Sequence, residues 1–382
     1  MILAGLLFGQ TIALLILIAR LLPGRRRRPP ASPLDHELDD TTVSVIVATL
    51  NEAARIEPCL RGLTAQQRPL HEILVVDSRS TDGTRELVER YSEKDARIRL
   101  LSDDPLPDGW VGKVWALEHG LRAASGEWIL GVDADTTPTP GMVAGIIAAA
   151  REGNWSVASF SPRFAEQTVG EQFIQPAMLL TLVYRGGVAG GDTDAEHVMA
   201  NGQCFLARRE VLLRHGGYTP ARSSFADDVT LARHLARRGE RVGFLDGSRL
   251  YSVRSYVSAR EMWREWGRSL DLKNATSATR QWLDLAFLVA IQALPIVVLL
   301  AIGMASLGQP FSVPMRGLAT INASAFAIRV LLLFPLSHSY ERAGWSFWLS
   351  PLADPLAVVR LIESTVTRRR VWRGRHYAPR NA

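Results

Sequence analysis

The sequence predicts an α/β fold with a mostly parallel sheet, on a chain that also enters a membrane. Three observations predict it. β-Branched runs alternate with single helical patterns between residues 43 and 135, and the end of each clear run carries polar residues. Apolar stretches of spanning length lie only outside this region. Strands joined by single helices wind right-handedly, which places ligand chemistry at their carboxyl ends.

In chain order, residues 1–22 (MILAGLLFGQTIALLILIARLL) read as a transmembrane helix and not as a cleaved leader: the positive run Arg25 to Arg28 follows the apolar stretch, and no small-residue cleavage site intervenes. Residues 23–41 are a basic and polar linker. VSVIVATL (43–50) is the first strand, followed by Asn51-Glu52 and a helix through Leu63. EILVVDSRSTDGT gives a second strand ending at Asp77, a turn, and a helix from Asp82. IRLLSD is a third strand, GKVWALEHGLRAASG a helix closed by Gly126, and EWILGVDAD a fourth strand. The segment 42–282 is expected to form one cytoplasmic domain, with an amphipathic interfacial helix near 258–272 anchored by Trp263 and Trp266. FIQPAMLLTLVY (173–184) is too short to span, and reads either as a hydrophobic acceptor entrance or as a buried core helix.

Apolar blocks at Leu283–Leu307 and Leu318–Leu336 place two further transmembrane helices within 283–337. Residues 338–382 follow as an interfacial helix and a basic cytoplasmic tail. Within them, WSFWLSPLADPLAVVRLIEST (345–365) carries Asp354, Arg360 and two prolines, which disfavour a crossing and favour a helix lying in the interface. Lys and Arg total 44 against 38 Asp and Glu, a formal net charge of +6. The basic clusters adjoin apolar segments, as cytoplasmic flanks do, so a membrane surface is the expected partner and nucleic acid is not. Cys59 and Cys204 lack metal or disulfide spacing and read as core residues of a reducing compartment.

GVDADTTPTPG (131–141) sets Asp133 and Asp135 on one strand face, where their charges repel. Either this is a solvated turn with Thr139 as N-cap and Pro140 opening a helix, or the pair binds a divalent metal such as Mg²⁺ or Mn²⁺. With Asp77 the pair suggests a cleft in which one carboxylate meets a base N–H, one a ribose, and one a metal on a diphosphate. No G-x-G-x-x-G or P-loop is present, so Lys113 at a helix start is the candidate phosphate partner; otherwise it is a solvated surface lysine. Of Asp227 and Asp228 at the head of DVTLARHLARRG, one is expected to be a helix N-cap and the other a general base, Asp228 being preferred.

ATLNE (48–52), VVDSRSTDGT (75–84), GKVWAL (112–117), DAD (133–135) and FADDVTLARHL (225–235) resemble, in that order, family 2 glycosyltransferases. The flanking membrane segments and the WRGR ending resemble the ceramide glucosyltransferase branch and its carotenoid-glycosylating relatives. The resemblance implies a GT-A fold, a nucleotide-diphosphate sugar donor (UDP-sugar before GDP-sugar), a divalent metal and inversion at the anomeric carbon. It assigns Asp77 to the base, Asp133 and Asp135 to the D-x-D pair with Asp135 on the metal, Lys113 to the donor, and Asp228 to catalysis with Asp227 as a second carboxylate. Asn51 and Glu52 join the donor set. The family's Q-x-x-R-W appears only in altered form, Glu265-Trp266-Gly267-Arg268-Ser269, which leaves Arg268 for the diphosphate. The expected acceptor is a hydroxyl of a membrane lipid such as a carotenoid, hopanoid or sphingolipid, and the expected location a bacterial cytoplasmic membrane. The alternatives are a polyprenyl-phosphate acceptor and a catalytically silent scaffold.

Overall fold

The chain makes its sheet from runs such as Val43–Thr49 because β-branched side chains fill both faces when helices cover both. The computed structural model describes residues 2–187, 190, 195–266, 270, 272–305, 312–367, 371–372 and 375–376. They group into two units, a sheet unit (Arg27–Phe164 and Ala189–Ser255) and a helical unit (Met1–Arg26, Ala165–Val188 and Tyr256–Arg368).

In the sheet unit the strands are β1 Val43–Thr49, β2 Leu70–Asp77, β3 Ile98–Ser102, β4 Trp128–Asp133, β6 Val157–Ser161, β8 Cys204–Arg208 and β9 Val242–Asp246, in the order β3-β2-β1-β4-β8-β6-β9. The first four are parallel, as the sequence predicts; β8 runs against both β4 and β6. A small second sheet, β5 Thr136–Pro138, β10 Tyr251–Val253 and β7 Arg163–Phe164, holds the chain after β4. Helices α2 Ile56–Thr64, α3 Thr84–Ser92 and α5 Met142–Glu152 bury Leu60, Val88 and Ile146 in one core cluster. Helices α4 Gly112–Ala123, α7 Arg209–Arg214 and α8 Asp227–Arg237 bury Leu121, Leu212 and Leu235 in another. At Gly120, α4 lies so close to β1 that a Cβ would sit 2.5 Å from Ile46 Cγ2. Cys59 and Cys204 are buried free thiols, and burial pushes Cys59 up to about 12, so both are inert packing residues.

Two local readings need correction. The fourth strand, read as EWILGVDAD through Asp135, ends at Asp133, and Thr136–Pro138 forms β5 of the second sheet. Thr139 does not cap α5: its hydroxyl donates to the Leu250 carbonyl at 2.7 Å, and Gly141, with φ 74°, precedes the helix.

The helical unit comprises α1 Ile2–Leu21, α6 Val169–Gly186, α9 Ala259–Trp266, α10 Ala278–Leu288, α11 Leu294–Ala305, α12 Val313–Leu331, α13 Leu333–Ser337, α14 Trp345–Trp348 and α15 Asp354–Val366, with a π-turn at Val289–Ala293 joining α10 to α11. Three helical stretches, Leu3–Arg25, Ala278–Ala305 and Val313–Ser337, are long and apolar enough to cross a membrane. They are cross-linked by polar side chains: Gln10 Nε2 donates to Asn322 Oδ1 at 2.8 Å and to the Ala290 carbonyl at 3.1 Å. α6 is a core helix, opened by a capping box between Thr168 and Glu171 and burying Met178, Leu180 and Tyr184. Trp263 and Trp266 on α9 are half-buried against the same cluster.

Candidate active site

Parallel register decides which side chains gather. β1 pairs Thr49 with Asp77 on one side and Ala48 with Asp133 on the other, so both aspartates stand at the carboxyl end of the sheet. Because β8 is antiparallel to β4, with Cys204 opposite Val132, it is the beginning of β8 that lies beside Asp133. Gln203 accepts there from the Asp133 amide at 3.3 Å.

Lys113 stands second in α4, and its Nζ lies 2.6 Å from Asp133 Oδ1. Burial opposes its charge, but Asp133, Asp227 and Asp228 together outweigh burial and hold the ammonium above the ordinary lysine range. Asp227 and Asp228 are the first two residues of α8, and the residue before them is Ala226. Neither is therefore the N-cap expected of one of them, and both face the cluster. Asp228 Oδ2 accepts from the Gly202 amide at 2.7 Å and Oδ1 from the Val229 amide at 2.8 Å. Gly202 is where loop and cluster meet: a Cβ there would lie 3.2 Å from Lys113 Nζ and 3.5 Å from Asp228 Oδ2. Burial and then the neighbouring Asp227 charge push Asp228 up to about 7, against Lys113 and the two amides. Asp227 is raised too, by burial and by Asp133, with Lys113 opposing.

Asp135 lies just past β4. Burial and the Asp133 charge raise its pKa, opposed by Arg55, a hydrogen bond from Ser255 and Lys113. Its Oδ1 is buried without a hydrogen-bond partner. A buried carboxylate oxygen left bare beside a second carboxylate is what a hard divalent cation would satisfy, with phosphate and water completing the shell. Among the described residues no group of three or more His, Cys, Asp or Glu could hold a metal by itself. The donor set thus fits a cation shared with a ligand, not a resident structural metal.

The remaining expected residues stand at neighbouring strand ends. Asp77 is fully buried, accepting from the Thr49 hydroxyl at 3.3 Å, the Ser80 amide at 3.1 Å and Arg85 at 3.3 Å. Asn51, at φ 56°, accepts from the Thr81 amide at 2.9 Å, and the Glu52 amide donates to Thr84 Oγ1 at 2.9 Å. These three hold the loop 78–84 in place. Arg268 lies outside the described residues.

Sequence reading missed Arg55, Gly202, Gln203 and Ser255. Arg55 lies 3.3 Å from Glu52 Oε2 and donates to the Ser255 carbonyl at 3.0 Å, and Gln203 Nε2 donates to Ser255 Oγ at 2.9 Å. Asn201-Gly202 ahead of the run CFLAR is a turn signal that marks this loop; Arg55 and Ser255 carry no local signal.

Residues 44–216 match the family described as Glycosyl transferase family 2. The chain is similar to the probable glycosyltransferase YdaM of Bacillus subtilis, 26% identical over 233 residues covering 59% of this chain and 53% of the relative. It is also similar to the succinoglycan biosynthesis protein ExoA of Rhizobium meliloti, 28% identical over 216 residues covering 55% and 62%. The chain thus spans about half to three fifths of the length of these relatives. Among solved structures, the mannosyltransferase PcManGT from Pyrobaculum calidifontis, in complex with GDP-Man and Mn²⁺, superposes with a TM-score of 0.55 over 95% of this chain and 99% of that one at 21% identity, a likeness of fold. The strand order and the likeness to that mannosyltransferase show a GT-A fold, and the match to Glycosyl transferase family 2 extends over residues 44–216 of it.

Proposed function

We propose that the protein is an inverting glycosyltransferase that moves a hexose from a nucleotide-diphosphate sugar, UDP-sugar in the first place, to a hydroxyl of a membrane lipid. The observation that carries this reading is the Lys113, Asp133, Asp227 and Asp228 cluster, in which Asp228 is raised to about 7. An alcohol must lose a proton as it attacks, and a carboxylate with a value near the working pH is the effective base for that. A polyprenyl phosphate is already ionised and makes no such demand, so the tuning of Asp228 favours a hydroxyl acceptor.

In this mechanism Asp228 accepts the acceptor's proton, and the Gly202 and Val229 amides aim its two oxygens. Lys113 stays charged throughout and neutralises phosphate oxygens as the sugar departs; the amides at the start of α4 assist it. Asp135, with Asp133 beside it, would hold a Mg²⁺ or Mn²⁺ ion, which supplies charge neutralisation on the departing diphosphate. Asp77, at the end of β2, is taken as the residue that reads a base N–H, and Arg268 as a diphosphate contact. A lipid acceptor is supported by the three helices of spanning length, and a cytoplasmic catalytic domain by the basic flanks.

The test is a panel of UDP- and GDP-sugars incubated with membranes holding the full chain and with extracted lipids, including polyprenyl phosphates and lipid-linked saccharides, the product being identified by mass. A glycosylated lipid alcohol formed by the parent and not by Asp228→Asn supports the reading. A sugar phosphoryl-polyprenol formed equally by both would replace it, and no nucleotide-sugar binding with either metal would return the silent scaffold.

A further inference from the structure

Residues 345–366 are built inside out. Their outward face presents Trp345, Leu349, Leu352, Leu356 and Val359 at alternating four- and three-residue spacing, with Trp348 beside Leu349, the four from Leu349 to Val359 each between 45% and 49% exposed. Their inward face buries Ala353, Ala357 and Leu361 in the apolar core and, among them, Ser346, Ser350, Asp354, Arg360 and Ser364. A helix packed against a protein core in water turns its charged residues outward; here Asp354 and Arg360 point inward and an apolar stripe faces out.

The inward charges are paired. Asp354 accepts from Arg329 Nε on both oxygens, at 3.0 and 2.8 Å, and Arg329 also donates to Ser350 Oγ at 3.1 Å. Arg360 has no exposure; it donates to the Trp263 carbonyl at 2.6 Å and to Ser364 Oγ at 2.9 Å, with its guanidinium 5.9 Å from the Trp263 ring centroid. The composition that counts against membrane burial, Asp354, Arg360 and the prolines, is thus directed at protein.

We propose that the outward face of 345–366 is embedded against lipid acyl chains, as a fourth lipid-facing element beside the three spanning helices. Two observations commit the occupant to lipid. First, the apolar surface is continuous with that of a candidate span: the exposed Phe334 of α13 packs on Trp348 with centroids 5.2 Å apart, and Leu331 one turn earlier is 63% exposed. Second, the stripe from Trp345 to Val359, running along α14, a 3₁₀ turn at Ser350–Ala353 and α15, covers at least about 21 Å at 1.5–2.0 Å per residue, a large part of a hydrocarbon core of about 30 Å. An apolar surface of that extent, with Asp354 and Arg360 turned inward and the exposed Glu363 beyond its end, is costly in water.

The test uses the full chain in lipid nanodiscs, with Cys59→Ala and Cys204→Ala as background and single labels at Leu352→Cys and Leu356→Cys bearing an environment-sensitive fluorophore. A label at Glu86→Cys on α3 of the sheet unit serves as the aqueous control. Blue-shifted emission at 352 and 356, quenched by acyl-chain nitroxide lipids and not by iodide, with the reverse at 86, supports the proposal. Iodide quenching at 352 and 356 equal to that at 86 overturns it. So does shielding from both quenchers that appears only when two copies share a disc, which would make the face a contact between copies. If the labelled variants fail to fold, the unsubstituted chain decides through a lipid-soluble carbene reagent: modification of the peptide 345–366 supports lipid contact, and its absence alongside modification of α1 and α12 overturns it.

Discussion

At the scale of single residues, Asp228 and Asp227 share a half-buried site with one ammonium between them and Asp133, a surplus of negative charge that stability alone would not select. A carboxyl whose folded value is raised from 3.8 to about 7 binds its proton more tightly in the folded chain than in the unfolded one. The native state is therefore favoured below the ordinary value and loses that advantage as pH climbs from about 4 to about 7. Asp228→Asn should lower turnover by on the order of 10²–10⁴-fold. It should also raise the thermal midpoint at pH 8 by a few degrees, an advantage that vanishes near pH 4; differential scanning fluorimetry at both pH values reads this directly. The parent's kcat/KM should climb as pH rises through about 7, the base being useless when protonated. The carboxylates after β4 divide differently. Asp135, with its bare Oδ1, should be indispensable for metal-dependent donor binding, so that Asp135→Ala titrated with UDP-sugar and Mn²⁺ in a calorimeter gives no metal-dependent heat. Asp133→Ala should weaken donor binding and retain some metal response. Full activity of the parent in excess chelator would contradict both.

At the scale of elements, the position of Lys113 depends on how closely α4 lies on β1. Gly120→Ala puts a methyl 2.5 Å from Ile46 Cγ2, whereas at Gly131 the nearest atoms to a new Cβ are 3.7 Å away. The first substitution should cost about 1–3 kcal/mol and raise the KM for the donor by tilting α4; the second should leave both thermal midpoint and KM nearly unchanged. In the helical unit, α12 is joined to α15 by Arg329 and Asp354. Arg329→Leu or Asp354→Leu alone strands a buried charge, at a cost of about 3–5 kcal/mol, while the double substitution should recover much of it. A double-mutant cycle in detergent, followed by thermal denaturation, measures the coupling. Elements also show where sequence reading succeeds and where it stops. β1 to β4 and their helices are legible because β-branched runs and turn residues are local signals, and Asp77, Asp133 and Lys113 come with them. The antiparallel β8 is not legible: it reaches Asp133 through pairing from 70 residues away, and nothing near Gly202 or Ser255 announces that. The inward aim of Asp354 and Arg360 is hidden for another reason, since composition records which charges a segment holds and not the side they face.

At the scale of the whole molecule, the two units are interleaved along the chain: the helical unit takes α1, then α6, then Tyr256–Arg368, while the sheet unit takes the stretches between. Seen from the ribosome, this arrangement sets an order of assembly. Gln10 of α1 finds its partners at Ala290 and Asn322, which are translated 280 and 312 residues later. At about 5–20 residues per second the interval is roughly 15–60 s. For that time the Gln10 amide of α1 goes without these partners; were α1 in lipid, that would be a tolerable state for one glutamine and a poor one for a charge. The sheet, by contrast, has all its strands once β10 ends at Val253, before the first residue of α10 is made. A nascent chain paused in that window would already hold the segments that carry Asp133, Asp227 and Asp228, with α10, α11 and α12 still unmade.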